Sequence, residues 1–191
     1  MVKYLPLLGL FVLLACSRGS LPKVELQTSM GTIVLEVDSI RAPVTAANFL
    51  KLVDAGVYAN ALFYRVVHVG NQPRNQVKID VIQAGLNDDS RIEMFPTIAH
   101  ETTALTGILH LDGTISMARN EPGTASTEFF ICVGNQPELD FGGHRNPDGQ
   151  GFAAFGRVLS GMSVVRAIQS QPEQSQMLDL PVSIYNIARI K

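Results

Sequence analysis

The chain has 191 residues, of which 46% are hydrophobic and only 17% charged, so one domain with a sizeable core accounts for the length and disorder is excluded as its main state. Fifteen Lys and Arg against seventeen Asp and Glu give a formal charge of −2, which excludes a general nucleic-acid binder built on a basic stripe. Two cysteines exclude a disulfide-dense scaffold.

At the start of the chain, Lys3 precedes an unbroken apolar or small run of eleven residues from Leu5 to Ala15. As a helix that run spans about 17 Å, well short of a hydrocarbon core of about 30 Å, so its proportions are those of a secretory signal. It ends in Leu13-Leu14-Ala15-Cys16, followed by Ser17, Arg18, Gly19 and Ser20. This resembles a bacterial lipobox, in which cleavage before the cysteine leaves its thiol to receive a diacylglyceryl group. The alternative is an ordinary signal peptide with a chance cysteine. On the lipobox reading, residues 1–15 are the signal, residues 16–22 a tether and residues 23–191 the folded domain, a lipoprotein anchored at Cys16 in the cell envelope and facing the periplasm. Ser17, in place of the aspartate that commonly retains lipoproteins in the inner membrane, favours the outer one.

From Lys23 onward short strand signals dominate. Val24, Leu26 and Thr28 alternate with polar neighbours, and Ser29-Met30-Gly31 reads as a hairpin turn into Thr32–Val37. Further strands are predicted at Leu62–Val67, Ile79–Ala84, Thr114–Ala118, Glu128–Val133, Ala153–Val158 and Val182–Ile190, with a weaker one near Ile98–His100. Two stretches read as helices. Pro43 to Ala55 puts Phe49, Leu52 and Val53 on one face and stops at Gly56; Met162 to Ser170 follows a Gly161 break and groups Val164 with Ile168 and Met162 with Val165. About eight strands and two helices in one domain predict a mainly β fold: a closed, eight-stranded antiparallel barrel capped by two α-helices.

Two long connections interrupt the strands. Gly70–Lys78 is a polar insertion, and Leu139–Gly151 carries Gly142-Gly143, the turn signal Asn146-Pro147-Asp148-Gly149, and Gly151. That glycine spacing fits neither the dinucleotide nor the Walker fingerprint, so an irregular surface loop is expected. The four histidines, at 68, 100, 110 and 144, lack paired ligand spacing, and no metal is expected. Cys132, inside Phe129-Phe130-Ile131-Cys132-Val133, reads as a small buried hydrophobe.

Six fragments in order carry a family resemblance: Phe63-Tyr64-Arg65-Val66-Val67, Val81-Ile82-Gln83-Ala84-Gly85, Gly113-Thr114-Ile115-Ser116-Met117-Ala118-Arg119, Thr127-Glu128-Phe129-Phe130-Ile131-Cys132, Leu139-Asp140, and Phe152-Ala153-Ala154-Phe155-Gly156-Arg157-Val158. Together they resemble the cyclophilin signature over about Val24 to Ile190. The resemblance implies an eight-stranded barrel capped by two helices with peptidyl-prolyl cis–trans isomerase activity on proline-containing polypeptides; a monomer without a cofactor is expected, and with the lipobox reading its substrates are folding polypeptides of the envelope.

The chemistry suits such residues. Rotation about a peptide bond faces a barrier of about 18–20 kcal/mol, and X–Pro bonds exchange in tens to hundreds of seconds unaided. In the twisted amide the prolyl nitrogen is pyramidal and gains a lone pair. A fixed guanidinium can hydrogen-bond that lone pair more strongly than the planar ground state, which accelerates rotation.

By the resemblance Arg65 is the catalytic arginine, and Gln83 bonds the substrate backbone and helps to hold it. Phe130, Leu139 and Val81, the last in place of the family's methionine, wall the proline pocket. Ala118, Arg119 and Asn120 form the edge that pairs with substrate, Arg119 replacing an asparagine. Asp80 falls near a pocket phenylalanine of the family, with Ile79 as the alternative occupant of that wall. Phe152 replaces a histidine, and Glu138 stands where many eukaryotic members have the tryptophan used in cyclosporin binding. Glu128 replaces a glutamine beside the pocket, which implies a carboxylate next to Arg65 and Gln83, with a lowered pKa unless desolvation opposes it, that discourages acidic residues beside the substrate proline. A non-catalytic peptide-binding or chaperone module on the same barrel is the alternative function.

Overall fold

The computed structural model describes residues 20–191; the signal segment, most of the tether and Cys16 lie outside them. Nine strands and four helices follow one another as β1 (Lys23–Thr28), β2 (Gly31–Val37), α1 (Pro43–Asp54), β3 (Leu62–Val67), β4 (Val81–Gly85), α2 (Asp89–Ile92), α3 (Thr103–Thr106), β5 (Thr114–Met117), β6 (Phe129–Cys132), β7 (Ala153–Ser160), α4 (Met162–Gln169), β8 (Glu173–Gln174) and β9 (Met177–Ile190). Eight of the strands close a ring in the order β1-β2-β7-β5-β6-β4-β3-β9, because β1 pairs with both β2 and β9. All pairings are antiparallel, and closure leaves no long strand edge unpaired.

The elements differ from expectation in a few places. The segment near Ile98–His100 is irregular, with Ile98 N donating to Ala125 O. The last strand begins at Met177 rather than Val182, because its first residues form a hairpin with the two-residue β8. Two four-residue helices, α2 and α3, join the expected pair; they are too short to show a helical period.

Inside the ring, Val24, Leu26, Ile33, Leu35, Phe63, Ile82, Ile115, Met117, Phe129 and Phe155 form one core. Helix α1 inserts Phe49, whose ring centre lies 5.5 Å from Phe129 and 5.1 Å from Phe155. Helix α4 adds Val165 and Ile168. A second apolar cluster of Val67, Ile79, Val81, Phe130, Cys132 and Leu139 lies apart from this core. Strand β6 shows how both arise: Phe129 and Ile131 belong to the interior, Phe130 and Cys132 to the second cluster. All four residues of β6 are buried, which accounts for a continuous apolar run where a solvent-faced strand would alternate.

Candidate active site

On the outer face of β3, β4 and β6, the second apolar cluster forms the floor of a groove of about 420 Å³. Ile79, Val81, Phe130 and Leu139 line it, with Ala118, Arg119, Asn120 and Phe152 around them. Phe152 stands edge-on to Phe130 at 5.3 Å, and buried His110 stacks behind Phe130 at 6.0 Å. His110 is held by Asp140 at 2.7 Å and Ser116 at 3.0 Å, so the rear of the aromatic floor is braced. Ile79 occupies the apolar wall, while the backbone of Asp80 is held by Gln136 at 3.1 Å.

The polar side of the groove depends on an irregularity in β3. The β3–β4 register shifts between Phe63 and Arg65, leaving Tyr64 as the extra residue of a bulge. Successive side chains on a regular strand point to opposite faces; here Tyr64 and Arg65 both line the groove. Arg65 Nη1 donates to Gln83 Oε1 at 2.8 Å, and its Nε and Nη2 donate to Gln176 Oε1 at 3.1 and 2.6 Å. A guanidinium has five N–H groups, so one on each of Nη1 and Nη2 keeps no protein acceptor among the described residues. Burial lowers the Arg65 pKa, yet the group remains cationic in water.

Gln176 had no signal in the sequence. It reaches Arg65 from the β8–β9 hairpin, 111 residues away, in a left-handed conformation at φ 75°. Its backbone N donates to Glu173 and its Nε2 to Asn71 O at 3.2 Å, which lock the side chain.

Glu128 departs from the expected arrangement. Its Oε2 accepts from Tyr64 OH at 2.6 Å and its Oε1 from Leu86 N at 2.6 Å, so Tyr64 and Gln83 stand between it and Arg65. Gly85 makes room for it, since a Cβ there would overlap the carboxylate. The carboxylate sets the direction of a relay. It can only accept, so Tyr64 spends its proton on Glu128; the Tyr64 oxygen then accepts from Gln83 Nε2 at 2.5 Å, which turns the Gln83 oxygen toward Arg65. Desolvation raises the Glu128 pKa against the hydrogen bonds that lower it. The net shift is upward, the case in which desolvation opposes the lowering.

Residues 23–189 match the family described as cyclophilin type peptidyl-prolyl cis–trans isomerase/CLD. The chain belongs to this family. A peptidyl-prolyl cis–trans isomerase of Streptomyces antibioticus is 36% identical over 148 residues, covering 76% of this chain and 82% of that protein. Peptidyl-prolyl cis–trans isomerase B of Escherichia coli strain K12 is 31% identical over 147 residues, covering 76% and 83%. A solved cyclophilin-type isomerase of Cryptosporidium parvum shares the fold at a TM-score of 0.70 and 20% identity, covering 90% of this chain and 98% of that one.

In this cyclophilin the edge opposite the relay is formed by Ala118, Arg119 and Asn120. Arg119 lines the groove, but its guanidinium is spent on Asp148 at 2.8 and 2.9 Å and on Gly151 O at 2.8 and 2.6 Å. Its side chain is 1% exposed and lies over the Phe152 ring at 5.2 Å. It straps the irregular loop after Leu139 to the barrel rather than presenting donors to a ligand. Glu138 is outside the groove lining; its carboxylate accepts from His144 N at 2.8 Å, which lowers its pKa. Cys132 is buried in the cyclophilin's outer cluster, and burial raises its thiol pKa, so the neutral thiol persists. Among the described residues no group of three or more His, Cys, Asp or Glu side chains is placed to hold a metal ion.

Proposed function

We propose that this isomerase speeds X–Pro rotation by seating the proline ring on Phe130, Leu139, Val81 and Ile79 while Arg65 donates a hydrogen bond to the pyramidal prolyl nitrogen. The observation that carries the reading is a guanidinium fixed by two amide oxygens, with N–H groups to spare, beside an apolar floor. Being held before substrate arrives, the donor needs little reorganisation as the lone pair develops. Ala118 and Asn120 supply the exposed or half-buried edge along which a substrate backbone runs, and Gln83 faces the same groove.

The test is a protease-coupled or NMR exchange assay with the full-length chain in mild detergent on Ala-Pro peptides. The reading requires exchange far faster than the unaided tens to hundreds of seconds. Binding without acceleration would make the chain a non-catalytic peptide-binding module instead.

Gln176 supplies two of the three bonds to Arg65. Gln176→Asn keeps a residue tolerant of positive φ but withdraws the amide oxygen by one methylene. The expected result is a kcat about tenfold lower with KM little changed, since each tenfold corresponds to about 1.4 kcal/mol. Unchanged kcat in a folded variant would show that Arg65 needs no brace from the hairpin.

The proposed place of action is the cell envelope, on folding polypeptides, with the domain tethered by lipid on Cys16. The short apolar run before that cysteine supports the reading, and among the described residues no helix is long and apolar enough to cross a membrane. Cys16→Ala is expected to release the protein from the membrane fraction; a wild-type protein already free in the periplasm would refute the anchor.

A further inference from the structure

Two guanidiniums besides that of Arg119 bear on the groove, and neither has a carboxylate partner among the described residues. Arg65 is bonded only to the amide oxygens of Gln83 and Gln176. Arg145, from the long connection after Leu139, also lines the groove. Its Nη1 donates to Gln72 Oε1 at 2.9 Å and Val77 O at 2.8 Å. These bonds join the two long connections, since Gln72 is buried and belongs to the insertion between β3 and β4.

The remaining edge of Arg145, formed by Nε and Nη2, makes no hydrogen bond among the described residues. That edge presents parallel N–H groups, the geometry that grips a carboxylate in bidentate fashion. Neighbouring Asn146, also in the groove lining, has an Nδ2 that is buried without a hydrogen-bond partner. Burial and the charge of Arg65 both disfavour the cationic form of Arg145.

The acidic groups of the groove do not relieve this. The Glu128 carboxylate is committed to Tyr64 and Leu86, Asp148 to Arg119, and Asp89 on α2 is exposed to water. Like charges held together in a partly sheltered site without a counterion favour the arrival of an anion.

We propose that the Nε–Nη2 edge of Arg145 is a subsite for an acidic side chain flanking the substrate proline, so that this isomerase prefers Glu or Asp beside the X–Pro bond. The inference rests on the proposed isomerase reading and reverses the specificity that the sequence suggested. The expected repulsion took the Glu128 carboxylate as free to act on the substrate; Glu128 does line the groove, but its oxygens are taken up by Tyr64 and Leu86, whereas Arg145 brings an unspent edge to the same groove.

The experiment compares kcat/KM of the full-length protein on proline peptides that carry Glu, Ala or Lys on either side of the proline. The wild type at low salt should favour Glu over Ala by roughly fivefold on one side, and Lys should be the poorest; added salt should shrink the ratio. Arg145→Gln should bring the Glu-to-Ala ratio to within about twofold of unity, Arg145→Lys should retain part of it, and Arg145→Glu should turn the preference toward Lys. Ratios are compared within each variant, so a general loss of turnover from a loosened loop does not mimic the effect. A flat wild-type ratio, or equal ratios in Arg145→Gln and Arg145→Glu, would overturn the subsite. Should the wild type turn over no peptide, the isomerase reading fails separately, and the affinities of the same peptides, followed by NMR titration, decide the subsite.

Discussion

Arg65→Ala is expected to lower kcat/KM by about 10²–10³-fold, corresponding to the roughly 3–4 kcal/mol that a preorganised donor contributes to a developing lone pair or charge. The fold should survive. Arg65 bonds only to two glutamine side chains, both half-buried at the groove, and water can replace the guanidinium on their oxygens. The thermal midpoint should therefore move by no more than a few degrees, while peptide affinity should fall less than turnover, because the apolar floor remains. Arg65→Lys should recover only part of the rate. An ammonium on a flexible stem cannot donate to Gln83 and Gln176 at once and still face the prolyl nitrogen along a fixed line. Peptide kinetics and a melting curve on the same preparations check the result. Near-wild-type turnover in a folded Arg65→Ala variant would remove the guanidinium from the mechanism.

The second large effect is expected at the other end of the relay. Tyr64→Phe removes the hydroxyl that donates to Glu128 Oε2 and accepts from Gln83 Nε2 while preserving the ring. A buried charged acceptor without its donor costs about 1–3 kcal/mol, or a fall of roughly 2–12 °C in Tm at about 2–4 °C per kcal/mol for a domain of this size. Gln83 also loses the contact that orients its oxygen toward Arg65, so kcat/KM should drop by about tenfold.

The sign of the pH dependence distinguishes this account from simple loss of packing. The Glu128 pKa is already raised above its ordinary value of 4.5 by burial. A carboxyl group with a raised native pKa binds its proton more tightly in the folded than in the unfolded chain. Its contribution to stability therefore falls as pH rises from the unfolded pKa through the folded one. Loss of the Tyr64 hydrogen bond raises that pKa further and widens the window upward. Tyr64 and fully buried Tyr58 are the titratable groups that bear on Glu128, and burial raises both phenols, so neither titrates there. Tyr64→Phe should accordingly be more destabilising near pH 7.5 than near pH 5, and adding Glu128→Gln should restore part of the loss by removing the charge. Asp38, whose pKa is lowered, slopes the opposite way but is common to all variants and cancels in the differences. Equal destabilisation at both pH values would mean that Glu128 is not the group responsible.

The strands and the long helices were legible in the sequence because their signals are local. Alternating Val24, Leu26 and Thr28 places one strand face inward, and Phe49 with Val53 marks the buried face of α1. The pocket floor was legible too, through Val81, Phe130 and Leu139, but only by their match to the cyclophilin signature, since β6 is apolar at all four positions and its pattern does not separate inner from outer residues.

The polar machinery was not, and the reason is physical. Helix α1 has no side-chain cap at Ala42; Glu101, distant in sequence, accepts from Val44 N and Thr45 N at 3.1 and 2.7 Å. Tyr64 joins Arg65 in the groove only because the β3–β4 ladder slips by one residue between Phe63 and Arg65, and strand alternation gives no hint of a bulge. Gln176 meets Arg65, and Arg145 meets Gln72, across long sequence separations closed only when the barrel folds. The sequence by itself determined which residues are apolar, which are charged and where the chain can turn. The tertiary structure decided which polar atoms meet: it bonded Glu128 to Tyr64 and Leu86, spent Arg119 on Asp148, and left one edge of Arg145 without a partner among the described residues. Hydrogen bonds act over about 3 Å, and side-chain contacts at that range follow from the register of strands and the path of loops, not from order along the chain.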